Sequence, residues 1–445
     1  MTVSLSPSLV QPFGAVAHAA AHGRMGGIGP SYQPLPNVST VGSSITANGF
    51  YSSGLTIGMR DDSWVMWLQA MTGGRIVIGT NYAASGNNST LVLAQVQSAI
   101  AAGGIDAIVG DTGAVNDVVA AMSFSATCAN IDAMFQACRD AGIVFFCLNC
   151  TPLETGHAYF SANNSKNSCR INDYIAYCAR SYRNVSVIDG WAAMVNKTDT
   201  SGNAASGMLD PTDHVHLTIK SARAIATVAA TPVNARLSPQ IWLPGSAIDV
   251  YDATYNPMNM NTSPLMLGSG GNNATSGSFT GTVPDPAVLS KSGTMTGTSA
   301  TSARSDGFGN DWVVTMTTTS NGGYVSMTSA NPGASVPLGT TVSGAFQLSM
   351  TTAASLQSLQ AWTLITITGG SAPGTYTQYW GYQSVARTGT YNDWGDFSDY
   401  TIIMPPITLP ATGTVSAAYQ TLRATYNNTG GTGVFKISRS GMRAR

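Results

Sequence analysis

The sequence predicts an α/β domain built on a parallel sheet, followed by an all-β sandwich or jelly roll. Before residue 233, short apolar runs alternate with helical patterns. That is the mark of βαβ units whose sheet is covered on both faces. After residue 233, short alternating β-runs are separated by Gly, Asn and Pro turns. The composition agrees: 43% of the 445 residues are apolar, enough for large cores.

The elements follow in order. Residues 1–35 are rich in Ala, Gly and Pro and read as an arm or linker. In the region 36–233, strands are expected at Val38–Val41, Arg75–Gly79, Asp106–Val109, Ile143–Leu148 and Val185–Ile188. Helices are expected at Trp64–Met71, Leu91–Ala102, Asn130–Ala141, Asn172–Ser181 and Lys220–Ala230. In the region 234–445, β-runs are expected at Trp312–Thr317, Tyr324–Met327, Val342–Leu348, Trp362–Ile367, Tyr400–Met404 and Phe435–Ile437.

Charge narrows the function. Only 9% of residues are charged and the net charge is −1, against about 25% charged in a typical soluble domain. Nucleic acid is not the expected partner, because phosphate binding needs clustered Lys and Arg. No membrane span is expected, since no run of about 18 apolar residues occurs. The start lacks a basic segment followed by an apolar core, so no secretory signal is evident. All six Cys fall between Cys128 and Cys178; Cys147-Leu-Asn-Cys150 has redox or zinc spacing but ends an apolar run, so the two read as buried free thiols, with a disulfide or a metal site as the alternative. The five His give no metal-ligand set, and no phosphate loop opens a helix, so no metal or cofactor is expected.

Four segments fit one reaction. Gly42-Ser43-Ser44 follows the first strand and would expose a Ser at the carboxyl edge of the sheet, where open α/β sheets bind ligands. Gly86 follows the second strand, where a backbone N–H can approach an oxyanion closely. Asn116 follows the third strand and offers a side-chain amide to the same oxyanion. Asp213-His214-Val215-His216 follows the fifth. An Asp three residues before a His can hold its Nδ1–H and leave Nε2 facing the Ser.

The order and spacing of these residues resemble the SGNH (GDSL-type) esterase and lipase family, over Asn37 to Pro232. Gly42-Ser43-Ser44 stands where that family has Gly-Asp-Ser, and Gly86, Asn116 and Asp213-x-x-His216 stand at its later blocks. The resemblance implies a three-layer, flavodoxin-like fold and ester hydrolysis by Ser44, His216 and Asp213, without a metal. Its oxyanion hole would be the Ser44 N–H, the Gly86 N–H and the Asn116 amide. Two departures stand out. Ser43 replaces the usual Asp, and Gly113-x-x-Asn116 is one residue longer than usual, with Ala114 in the normal Gly place.

Competing assignments exist for several residues. Ser63 reads as an N-cap rather than a rival nucleophile. An Asp210–His214 pair competes with Asp213–His216. Asp189 reads as a cap for the helix after the fifth strand. His157, after the fourth strand, is a candidate substrate contact.

The β-rich half carries aromatics near turns: Trp312, Trp380, Tyr382, Tyr391, Trp394, Phe397 and Tyr400. Most read as core. The stretch around Trp394 reads as a candidate sugar-binding loop. The β-half resembles carbohydrate-binding modules in pattern only, and the layout resembles bacteriophage tail-fibre or tailspike proteins. That layout implies a trimer, on a virion or outside the cell, acting on an acylated polysaccharide. The alternative expectation is an inactive adhesion protein that binds host glycans. A third, an intracellular acyl-thioesterase, leaves the β-half unexplained.

Overall fold

The computed structural model describes residues 37–239. From 242 to 444 it describes all but 247, 251, 253, 255–259, 261–262, 276, 319–321, 330–335, 352–355, 383–393 and 427–431. The arm expected over residues 1–35 and Tyr391 lie outside the described residues.

The first sheet forms where the apolar runs are. Its strands are β1 (Asn37–Val41), β4 (Val77–Asn81), β5 (Ala107–Asp111), β6 (Val144–Leu148) and β7 (Val185–Ile188). They lie in the order β4-β1-β5-β6-β7, and every pairing is parallel. This is the doubly wound 2-1-3-4-5 order, whose ligand crevice lies at the carboxyl ends beside the first strand. Val38, Ile108, Val109, Phe145, Phe146 and Cys147 are buried, as expected of a sheet covered on both faces. One helical layer joins α3 (Ser89–Ala102), α4 (Ala114–Val119), α5 (Phe124–Asp140) and α6 (Ala162–Ser181). The other joins α2 (Trp64–Met71), α7 (Gly190–Met194) and α8 (Ile219–Arg236). The helices α5 and α6 begin earlier than periodicity suggests, because Ser123 and Ser161 cap them. All six cysteines are free thiols, and burial pushes Cys150 up to about 12.

Fifteen further strands make two sheets. A hairpin, β2 (Phe50–Ser53) and β3 (Thr56–Arg60), turns at Gly54, whose φ is +58°. Next come β8 (Gly270–Asn273), β9 (Phe279–Gly281), β10 (Val283–Ser292), β11 (Met295–Ala303), β12 (Asn310–Thr318) and β13 (Gly323–Thr328). They are followed by β14 (Thr341–Thr351), β15 (Leu356–Thr368), β16 (Gly374–Tyr382), β17 (Phe397–Ile403), β18 (Ile407–Thr408), β19 (Thr414–Tyr426) and β20 (Thr432–Ala444). One sheet runs β2-β3-β16-β15-β19-β13-β10-β8, and the other β17-β14-β20-β12-β11-β9 with β18 on β14. They face each other as a sandwich. Gln420 Nε2 of β19 donates to the Gly441 carbonyl at 2.9 Å, and Gln378 Nε2 of β16 to the Val342 carbonyl at 2.6 Å.

The hairpin crosses the compositional boundary. Residues 50–60, placed by composition in the first region, extend the sandwich, with β3 running parallel to β16. Helix α2 anchors the junction. The Trp67 ring meets Trp380, Trp394 and Phe397 edge-on, with centroids 5.5, 5.6 and 6.1 Å away. This corrects the expected sugar contact at Trp394; residues 388–393 of that expected loop lie outside the described residues. Trp394 is fully buried in the seam, where its apolar ring covers Trp67. Trp312 and Trp380 are buried too.

Truncating Trp67 removes the centre of this seam. Trp67→Ala is expected to lower stability by about 3–5 kcal/mol in denaturant titration. A change under about 1 kcal/mol would show that the seam carries little of the packing.

Candidate active site

The turn after β1 is built around a buried carboxylate. Asp111, at the end of β5, accepts the Ser43 N–H at 3.0 Å, the Gly113 N–H at 2.9 Å and the Thr46 hydroxyl at 2.7 Å. Burial pushes its pKa up, and these hydrogen bonds work against that rise. Gly42 must be glycine: its φ is +138°, and a Cβ would fall 2.2 Å from Asp111 Oδ2. Gln95 grips Gly42 from the other side, accepting its N–H at 2.7 Å and donating to its carbonyl at 3.2 Å. Ser43 caps the short helix α1 (Ser44–Ala47), its Oγ accepting the Ile45 N–H. Ser44 opens that helix with 7% of its surface exposed.

The loop before α8 holds the second part. Asp213 Oδ2 lies 2.7 Å from His216 Nδ1, while Oδ1 accepts the backbone N–H groups of His216 and Val215 at 2.9 and 3.0 Å. Burial alone would raise the Asp213 pKa. The His216 N–H, the His216 ring and the Val215 N–H outweigh it and hold the carboxyl below its ordinary value. The competing pair does not form. His214 Nδ1 turns to Glu154 at 3.2 Å, and Asp210 accepts the N–H and hydroxyl of Thr212.

These two parts meet in one cleft, lined by Ser44, Ile45, Asn48, Gly49, Arg60, Asp62, Asp210, Asp213, His216 and Leu217. Ser44, Asp213 and His216 are thus brought together. The proposed oxyanion donors are placed less directly. The loop carrying Gly86 docks on the turn after β1, because the Ala84 N–H donates to the Gly42 carbonyl at 3.0 Å. Gly86 is exposed with φ +80°. The Asn116 amide donates to the Asn87 carbonyl at 2.8 Å, tying the two loops together. Neither Gly86 nor Asn116 lines the cleft.

The remaining candidates fall as follows. His157 is half-buried, its Nδ1 accepting the Tyr159 N–H at 3.3 Å. Burial lowers its pKa, Asp213 opposes that, and His214 and His216 add to it, so it lies within electrostatic reach of the pair. Ser63 caps α2, and Asp189 caps α7. Sequence reasoning missed Asp111, Arg60 and Asp62. Asp111 closes the strand that ends Val109-Gly110-Asp111, a readable signal. Arg60 sits in a hairpin whose pairing with β16 is remote in sequence.

No protein-family model and no curated relative matches the chain. Structural neighbours include a putative lipolytic protein of the G-D-S-L family from Desulfitobacterium hafniense, at 14% identity and TM-score 0.34, covering 44% of this chain and 98% of that one. They also include a catalytic mutant of Axe2, an acetylxylan esterase from Geobacillus stearothermophilus, at 15% identity and TM-score 0.36, covering 44% of this chain and 94% of that one. A GDSL-like lipase from Bacteroides thetaiotaomicron is 16% identical with TM-score 0.35, covering 46% and 90%. TesA is 17% identical with TM-score 0.35, covering 44% and 99%. The role of each residue rests on the geometry above.

The lowered Asp213 pKa has a stability consequence. An ionised Asp favoured in the folded state contributes stability above about pH 4, lost as pH falls through the lowered value. The stability gap between the parent and Asp213→Asn, read by urea titration, therefore narrows between about pH 5 and pH 3. A gap that widens there would contradict the pairing.

Proposed function

We propose that the chain is a serine ester hydrolase that removes small acyl groups, acetyl above all, from a carbohydrate. One observation carries this: Asp213 holds His216 through Nδ1 at 2.7 Å beside the same cleft that Ser44 lines. An imidazole fixed in that tautomer has Nε2 free to take a hydroxyl proton.

The reaction then runs in two steps. Ser44 Oγ attacks the ester carbonyl, and His216 Nε2 takes its proton. The imidazolium, stabilised by Asp213, returns that proton to the leaving sugar oxygen as the C–O bond breaks. Water attacks the acyl-serine with His216 again as base, releasing the acid and Ser44. The candidate donors to the developing oxyanion are the Ser44 N–H, the Gly86 N–H and the Asn116 amide. The polar groups of the cleft, Asn48, Arg60, Asp62 and Asp210, support a hydroxyl-rich substrate rather than a long acyl chain.

A second reading, a glycan-binding protein without activity, is favoured by one observation: Gly86 and Asn116 stand outside the cleft lining. Hydrolysis of p-nitrophenyl acetate, with a chelator present, separates the two. Ser44→Ala should lose about 10³-fold or more in kcat, and acetate should be cleaved faster than butyrate or octanoate. Equal rates in parent and variant, or no activity in the parent, would favour the second reading.

A further inference from the structure

Of the aromatics that stand out near turns, Tyr382 faces outward, together with others that do not stand out in the sequence. They lie on the open face of the eight-stranded sheet. In register across it are Tyr51 of β2, Gly58 of β3, Tyr379 of β16 and Trp362 of β15. Directly paired residues share a face, and Tyr51, Tyr379 and Trp362 are all half-buried. The opposite face of the same strands is core, with Met59, Trp380 and Ala361 buried. A bulge at Gly381 brings Tyr382 onto the outer face. Its ring stacks on Tyr51 at 4.0 Å and 21°, and lies 5.1 Å from Tyr379. Gly58 leaves room for this, since a Cβ there would come within 2.9 Å of Tyr379 Cβ. Farther along, the Arg423 guanidinium sits over Trp362 at 4.9 Å and over Tyr324 of β13 at 4.1 Å. From β2 to β13 the strip spans five strand spacings, about 24 Å.

We propose that this strip is a binding platform for a glycan chain, which it leads to the catalytic cleft. The chemistry favours a sugar over a protein partner. The surface offers flat ring faces for the C–H faces of pyranose rings, edged by polar partners for hydroxyls. Among these are the half-buried Thr328 and the half-buried Arg423, which donates to Ser326. Among the exposed large apolar side chains, Leu91 and Val228 lie on helices α3 and α8, and Leu55 lies at the hairpin turn. Continuity with the site supplies the direction. Arg60 alternates with Gly58 on β3 and so shares its face, it pairs in register with Tyr382, and it also lines the cleft beside Ser44. Delivery of an ester to Ser44 rests on the hydrolase reading; binding on the strip does not.

The test is binding of a catalytically silenced full chain, Ser44→Ala, to an array of defined O-acetylated and unacetylated oligosaccharides of six or more sugars. The expected result is binding that weakens at least tenfold when Trp362→Ala and Tyr379→Ala are added. Trp362→Phe should retain most of it, and Tyr177→Ala on α6 should change nothing. Matching melting temperatures establish that the variants fold. No glycan bound by the Ser44→Ala chain, or equal binding by the Trp362→Ala/Tyr379→Ala chain, overturns the platform. So does a glycan-independent change of oligomeric state in that variant, which would assign the face to a second copy. Hydrolysis of p-nitrophenyl acetate by the parent chain is read separately. Glycan binding without that hydrolysis would overturn the hydrolase reading alone, and hydrolysis without glycan binding the platform alone.

Discussion

The Asp111 carboxylate is the constraint on which the site depends. Burying an ionisable group is costly unless its lone pairs are satisfied. Here the Ser43 N–H, the Gly113 N–H and the Thr46 hydroxyl satisfy them. The same contacts tie the turn after β1 to the turn after β5. The first carries Ser44 and the second leads to Asn116. Where the resembled family has an Asp before its nucleophile, this chain has Ser43, and a carboxylate from the neighbouring strand reaches that residue's backbone instead. The glycine at 42 follows from the closeness of that carboxylate.

A second constraint links the two halves of the chain. The β2–β3 hairpin leaves the α/β region immediately after α1, adds two strands to the sandwich, and returns through Arg60 to the cleft. The sandwich therefore shapes one wall of the site. Trp67 of α2 holds the return, packed against the aromatic rings of β16 and β17. The Met66 sulfur, 3.2 Å from the Gly381 N–H, touches the bulge that turns Tyr382 outward. The proposed glycan strip and the sandwich packing thus share residues.

Much of this was legible in the sequence, and the reasons differ by residue. The five parallel strands were visible because strands buried on both faces read as continuous apolar runs. Asp213 and His216 were legible because their pairing is local, three residues apart. Ser44 followed from its place at a strand end. The hairpin was not legible, since its partner β16 lies more than 300 residues away and short polar strands such as Phe50–Ser53 carry little hydrophobic signal. Trp394 misled because a ring in an Asp- and Asn-rich stretch looks exposed. Its burial depends on Trp67, which no local pattern reveals. Conversely, Trp362 read as an ordinary strand residue and Tyr379 fell in no expected β-run, and only register shows that they share the open face.

The central claim is that His216 activates Ser44. Labelling the folded chain with a fluorophosphonate and locating the adduct by peptide mass spectrometry tests this most directly. The account predicts one modified residue, Ser44, and loss of the adduct in His216→Ala while that variant remains folded. An adduct on Ser63 or elsewhere, no adduct at all, or unchanged labelling of Ser44 in His216→Ala would contradict it.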